Sequence, residues 1–186
     1  METYIVIIAA ILIMALLIFY VVRIFNKLIK SRNRVNTQWA QIDVQLTRRA
    51  DLIPNLVEAV KGYASHEREI FERVTAARNA LSSALSPGQA IVANDLLSDQ
   101  LVRLFAVAEA YPNLKADRNF ADLQSNLKET EDKIAYARQF YNDTVLMYRD
   151  LTKQFPSSII AKLFSFEDAS FYVTNEDKKD NIEVSF

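Results

Sequence analysis

Between Thr3 and Val22 the chain carries twenty consecutive residues without a formal charge, nearly all of them Ile, Leu, Val, Ala, Phe, Tyr or Met. At helical rise such a run reaches about 30 Å, the hydrocarbon thickness of a bilayer. Lipid offers no hydrogen-bond partners, so a segment this apolar must satisfy its own backbone as a helix. A cleaved signal peptide is the competing reading, and it needs basic residues ahead of a shorter apolar core and a small-x-small site behind it. Only Met1-Glu2 precede the run, and Tyr20-Val21-Val22 offers no such site. The segment therefore reads as a retained anchor.

The flanks set an expected orientation. Arg23, Lys27, Lys30, Arg32 and Arg34 follow the run, with no acid before Asp43. Cationic flanks stay on the cytoplasmic side, so the expectation is a single-pass protein of the cell (inner) membrane, N-terminus outside and the long C-terminal part cytoplasmic. The absence of cysteine agrees with that side of the membrane. The same cations would attract anionic headgroups, which makes the lipid bilayer the first expected partner.

The roughly 160 residues beyond the anchor suffice for one domain with its own core. The net charge of −1 argues against nucleic acid as a partner. Charge is nonetheless polarised: residues 23–49 hold seven basic residues against one acid, whereas residues 167–186 hold six acids against two lysines. The expected division is an anchor at 1–25, a helical domain at 26–155 and a tail at 156–186.

Two glycines, Gly62 and Gly88, and four prolines leave few places to break the chain, and the apolar spacing is helical. Val35, Trp39, Ile42, Leu46, Ala50, Ile53, Val57, Val60 and Ala64 recur at steps of three and four, as do Ile70, Val74, Ala77 and Leu81. Trp39, on this seam, is expected to be largely buried. A stricter seam follows at Phe120, Leu123, Leu127, Thr130, Ile134, Ala137, Tyr141, Thr144, Tyr148 and Leu151, the coiled-coil pattern of helices packed at shallow angles. Ala90 to Tyr111 supplies another apolar helix. Ser86-Pro87-Gly88 reads as a turn, Pro112 as a stop, and Asn119 with Asp122 as the start of the last long helix. Pro54 either kinks one long helix or opens a new one after a corner at Asp51-Leu52-Ile53. Mutual burial favours the corner, because an unbroken helix from Val35 to Leu81 would run about 70 Å and outreach its neighbours. The expected fold is all-α: the transmembrane helix, then an antiparallel four-helix bundle of long helices, then a short tail.

The same residues resemble the LemA family. Gln38-Trp39-Ala40-Gln41-Ile42-Asp43-Val44-Gln45-Leu46, Arg48-Arg49 and Asp51-Leu52-Ile53-Pro54-Asn55-Leu56-Val57 carry the likeness. Val60-Lys61-Gly62-Tyr63, Ala108-Glu109-Ala110-Tyr111-Pro112, Leu114-Lys115-Ala116, Thr130-Glu131, Ala137-Arg138-Gln139-Phe140-Tyr141-Asn142-Asp143 and Phe155-Pro156 extend it. It runs from the anchor to about Phe166, with departures at Thr47, Ala50 and Arg149. It implies a bacterial membrane protein with a short outer N-terminus and a cytoplasmic helical bundle, and it implies no activity.

The inventory of reactive groups is thin. His66 is the single histidine and lies in the charged run Ser65-His66-Glu67-Arg68-Glu69, so zinc and Cys-His chemistry lack ligands. Glu67, Glu69, Glu72 and Glu131 would need two Glu-x-x-His pairs to build a di-metal bundle site. Two isolated glycines cannot cradle a phosphate. The expectation is a non-enzyme with no catalytic residue, no metal and no cofactor. Glu131, Arg138, Asn142 and Asp143 read as polar contacts inside the bundle.

Two features point to partners instead. Arg34, Gln38, Gln41, Gln45 and Arg48 repeat at four and three, a polar stripe that could bond a partner helix, though a solvated face explains it too. In the tail, Phe171 and Val173, then Ile182, Val184 and Phe186, alternate around a polar run, the pattern of a short β-hairpin that could mediate assembly. Ahead of them, Ile159, Ile160, Leu163, Phe164 and Phe166 form an apolar patch that either caps the bundle or rests on headgroups. The expected function is a membrane-anchored scaffold or adaptor, self-assembling as a homo-oligomer or binding another membrane protein. The alternative, suggested by the family, is a regulatory partner of membrane proteolysis or envelope stress.

Overall fold

The spacing of breakers in this chain decides where its helices end, and only some of the expected breakers act. In the computed structural model, which describes residues 1–64 and 66–174, the first helix does not stop before the cationic flank or at Pro54. Helix α1 runs from Glu2 to Lys61 as one element, with Pro54 inside it. The expected corner at Asp51-Leu52-Ile53 is thus corrected: the helix passes through Pro54, as the long-helix alternative had it, but it ends at Lys61 instead of running on to Leu81, and a separate helix begins at Arg68.

The physical reason lies in the carbonyl that a proline orphans. Pro54 has no N–H to give to the carbonyl of Ala50 four residues back, and an unpaired buried carbonyl is costly. Ala50 is buried, and its oxygen accepts instead from Arg78 Nε at 3.3 Å. Arg78 stands on α2, Arg68–Ser82, so a side chain from a neighbouring helix completes the bond that the proline removed.

The remaining helices have readable ends. Helix α3, Pro87–Ala108, starts at Ser86, whose hydroxyl accepts from the Gln89 N–H at 3.3 Å, while Gln89 Oε1 accepts from the Leu85 N–H at 2.9 Å. Pro87 fills the first turn, where a missing N–H costs nothing. After the short α4, Pro112–Lys115, comes α5, Arg118–Lys153. Its start is fixed by Asp117, which accepts from the Phe120 N–H at 3.1 Å, two residues before the expected Asn119. That bond holds the Asp117 carboxyl below its ordinary range. A final short helix, α6, spans Ser157–Leu163.

Both apolar seams face inward. Every seam residue from Val35 to Ala64 is buried except Trp39, and the α5 seam from Phe120 to Leu151 is buried or half-buried throughout. Trp39 is half-buried, against expectation, its ring 6.3 Å from that of Tyr172. Two compact units result. One combines residues 1–38 with 141–171; the other combines residues 39–140 with the chain from Tyr172 on. Within the described residues there is no strand. Phe171 and Val173 lie in irregular chain, and Ile182, Val184 and Phe186 fall outside the described residues. The described part of the tail has its own anchorage in the first unit: Tyr141 and Tyr148 of α5 donate to the carbonyls of Ser170 and Glu167 at 2.9 and 2.7 Å.

The capture of the Ala50 carbonyl makes a coupled prediction. Arg78→Met, which keeps most of the stem, should cost about 1–2 kcal/mol in denaturant unfolding of the detergent-solubilised protein. In a Pro54→Ala background, residue 54 regains its N–H and the same change should cost close to nothing. Equal costs in both backgrounds would show that Arg78 does not stand in for the missing bond.

Candidate functional site

A charged residue on a seam of Leu46, Ala50 and Ile53 must find partners inside the core. Arg49 is that residue, 2% exposed on α1. One amino group donates to Asn94 Oδ1 of α3 at 2.9 Å, and the other to Glu131 Oε2 of α5 at 3.2 Å. Asn94 is itself buried and donates onward to the hydroxyl of Tyr172 at 3.4 Å, and Tyr172 is 1% exposed. The guanidinium of Arg138 lies 6.0 Å from the Tyr172 ring centroid. Three helices and the chain after Phe171 thus meet at one polar cluster within the second unit.

Its electrostatics follow from burial. Removal from water lowers the Arg49 pKa, and Glu131, Tyr172 and Asp95 oppose that shift. Burial likewise pushes the Tyr172 phenol up to about 12, reinforced by Asp95 and opposed by Arg138 and Asn94. Arg49 Nε makes no hydrogen bond among the described residues, nor does Gln45 Oε1.

A cavity of about 270 Å³ opens beside the cluster, lined by Asp95, Asp99 and Glu131 as well as by Arg49 and Arg138. Three acids against two cations leave no dominant sign to select an ion. A wider groove of about 620 Å³ adjoins it between α3 and α5, with Leu101, Val102, Phe105 and Leu127 on its walls. No described residues form a group of three or more histidines and carboxylates able to hold a metal. The cluster's evident work is to fix the register of α1, α3 and α5.

The expected polar stripe stays on one face of the unbroken α1. Arg34 and Gln41 are exposed and Gln38 is half-buried. Gln45 is half-buried with its oxygen inside, and Arg48 forms an ion pair with Glu129 at 3.6 Å. Glu129 also meets Lys133, whose hydrogen bond holds its carboxyl low. In the tail, Phe171 lies under the Arg149 guanidinium at 5.0 Å and Val173 is exposed. Sequence reasoning singled out Glu131 and Arg138 as internal contacts but missed Arg49, Asn94 and Tyr172 as a cluster. Arg49 had a signal, a charge three residues after Leu46 and four before Ile53. Tyr172 had none.

Comparison with known proteins gives the following. A model of the LemA family matches residues 38–186. Magnetosome proteins MamQ 1 and MamQ 2 of Paramagnetospirillum magneticum are each 24% identical across 80% of this chain. The chain spans 64% of the length of these relatives. Protein LemA of Metamycoplasma hominis is 21% identical across 86% of this chain and 74% of its own.

The buried phenol makes the cluster's stability depend on alkali. Its folded pKa of about 12 exceeds the unfolded value near 10, so the contribution is complete below about pH 10 and is lost as pH rises toward 12. Across that window the protein should lose about 2–3 kcal/mol that the Tyr172→Phe variant does not lose. Identical pH profiles of unfolding for the two proteins would place Tyr172 in solvent.

Proposed function

The chain belongs to the LemA family, and on that premise we propose that it is a membrane-anchored scaffold that gathers partner proteins, further copies of itself among them, at the cytoplasmic face of a bacterial inner membrane. The observation that carries this reading is α1 itself. Its first part is apolar, long enough to cross a membrane and fully exposed, and its later part supplies the buried seam from Ile42 to Val60. One element therefore serves both as anchor and as core helix. The cations from Arg23 to Arg34 follow the span directly and support an outer N-terminus with the helical unit inside. In this reading residues 39–140 act as an antiparallel four-helix bundle formed by α1, α2, α3 and α5.

The protein is not an enzyme in this proposal. Its polar cluster ties helices together, and its surface is what partners read. Large apolar side chains stay exposed on α3 at Val92, 64%, and Val102, 69%. Gln38 and Gln41 keep the amide stripe of α1 available for hydrogen bonds with another helix. Two relatives are magnetosome proteins by name, which accords with work at a membrane-bounded structure.

Photo-crosslinking from position 41 and, separately, position 92 in intact spheroplasts is the test, with external protease added first. The domain should survive the protease, and self-crosslinks should dominate. A single foreign protein in every adduct would turn the reading toward a dedicated regulator, as of a membrane protease. Digestion from outside would reverse the topology and remove the proposal.

A further inference from the structure

Helix α6 sits where the uncharged run of α1 ends. Its buried Ile160 and Ala161 pack on Leu28, and Val21, Ile24 and Phe25 of α1, Leu151 of α5 and Phe166 close the cluster. Phe25 is the centre of the contact, edge-on to Phe164 at 4.8 Å and to Phe166 at 5.7 Å. The Arg32 guanidinium lies 5.4 Å from the Phe166 centroid. All of these residues belong to the first compact unit. α6 therefore covers the two turns of α1 that immediately follow Val22.

The other side of α6 is uncovered. Phe155 is 82% exposed, Ile159 58%, Leu163 72% and Phe164 50%. Three large apolar side chains open to solvent, with the outer half of Phe164 beyond its contact with Phe25, make a patch within ten residues that water disfavours. Lys162 flanks it, as does Lys153, which is ion-paired with Asp168 at 3.4 Å, and Arg23 and Lys27 of α1 are exposed in the turns that α6 covers. An apolar face with a cationic rim is the composition of an element that lies in a membrane interface.

We propose that α6, with Phe155 and Phe164 at its ends, is a second membrane contact, a monotopic foot seated among the headgroups and upper acyl chains of the leaflet from which α1 emerges. Continuity decides for lipid over a protein occupant. The exposed side chains of Phe19, Tyr20 and Val22 end the lipid-facing surface of α1, and Val21, at that same end, with Ile24, Phe25 and Leu28 beyond it, is what α6 packs against. The foot's open face borders lipid already present. Two attachments instead of one would stop the first unit from spinning and tilting freely about α1. The basic rim would favour anionic leaflets. The inference rests on the anchor reading of Thr3–Val22, and its test separates the two.

The chain has no cysteine of its own, so single cysteines introduced into the full-length protein report one site each. Ile159→Cys, Leu163→Cys, Ile13→Cys within the span and Tyr136→Cys on α5 would each carry an environment-sensitive fluorophore. The proteins would be placed in phosphatidylcholine–phosphatidylglycerol vesicles. Positions 159 and 163 should emit blue-shifted light, lose intensity to doxyl-labelled lipid and resist iodide, as position 13 does; position 136 should show the reverse. Iodide quenching at 159 and 163 with position 13 still in lipid overturns the foot and spares the anchor. Iodide quenching at position 13 overturns both. Labels at 159 and 163 shielded from both quenchers, with self-quenching between copies, would assign the face to a second protein and equally overturn the proposal.

Discussion

Backbone groups shut away from water, by lipid or by packed side chains, must find hydrogen-bond partners inside the protein. The rest of this structure depends on how α1 meets that constraint at its one weak place. Pro54 removes the donor that would meet the carbonyl of the buried Ala50, and a proline in a helix interior ordinarily costs about 3 kcal/mol or breaks the element. The Arg78 guanidinium occupies the vacated position at 3.3 Å from the Ala50 oxygen. The helix can therefore carry Ile53, Leu56, Val57 and Val60 onto the same buried face as Ile42 and Leu46.

The Arg49 cluster adds specificity to this apolar frame. A buried ion pair contributes little net stability, because desolvation offsets most of the attraction. Here Glu131 reaches solvent, its side chain 60% exposed, while Arg49 is enclosed. The pairing is thus weakened by water at one end, and the buried Asn94 bond holds the geometry. Leu and Val seams can slide by a turn at modest loss. A guanidinium that must meet an amide on one helix and a carboxylate on another cannot. This is a cluster suited to holding one arrangement of helices.

Much of this was legible in the residues, and the failures have physical causes. The lipid-length run and the two seams can be read from spacing and charge, since each is a local property of the chain; Ser86-Pro87-Gly88, by contrast, reads as a turn, whereas Pro87 and Gly88 already form the first turn of α3 behind the Ser86 cap. The absence of a corner at Pro54 was not legible, because it depends on Arg78, far away in sequence and supplied only by packing. The α5 start moved from Asn119 to Asp117 since both residues can cap, and only the fold selects between them. Trp39 lies on the seam but near an edge of it, which periodicity alone does not weigh. Tyr172 was invisible for the same reason as Arg78: a tail of alternating residues looks like a strand until the core offers its aromatic ring a buried place beside Asn94. The tail's described part instead runs against α5, held by the hydroxyls of Tyr141 and Tyr148.

In the proposed reading, anchor, helical domain and foot form one physical scheme, in which a scaffold would take its position from lipid and its specificity from helix faces. The central claim in that scheme is the continuity of α1 from the membrane through Pro54. Amide hydrogen exchange of the full-length protein in lipid nanodiscs measures it directly. Slow exchange should extend without a gap from the residues after Val22 to Val60, including Asn55 to Val57 just beyond the proline. A fast-exchanging break at Asp51–Val57, with protection resuming on either side, would mean two helices and a corner, and would contradict the account.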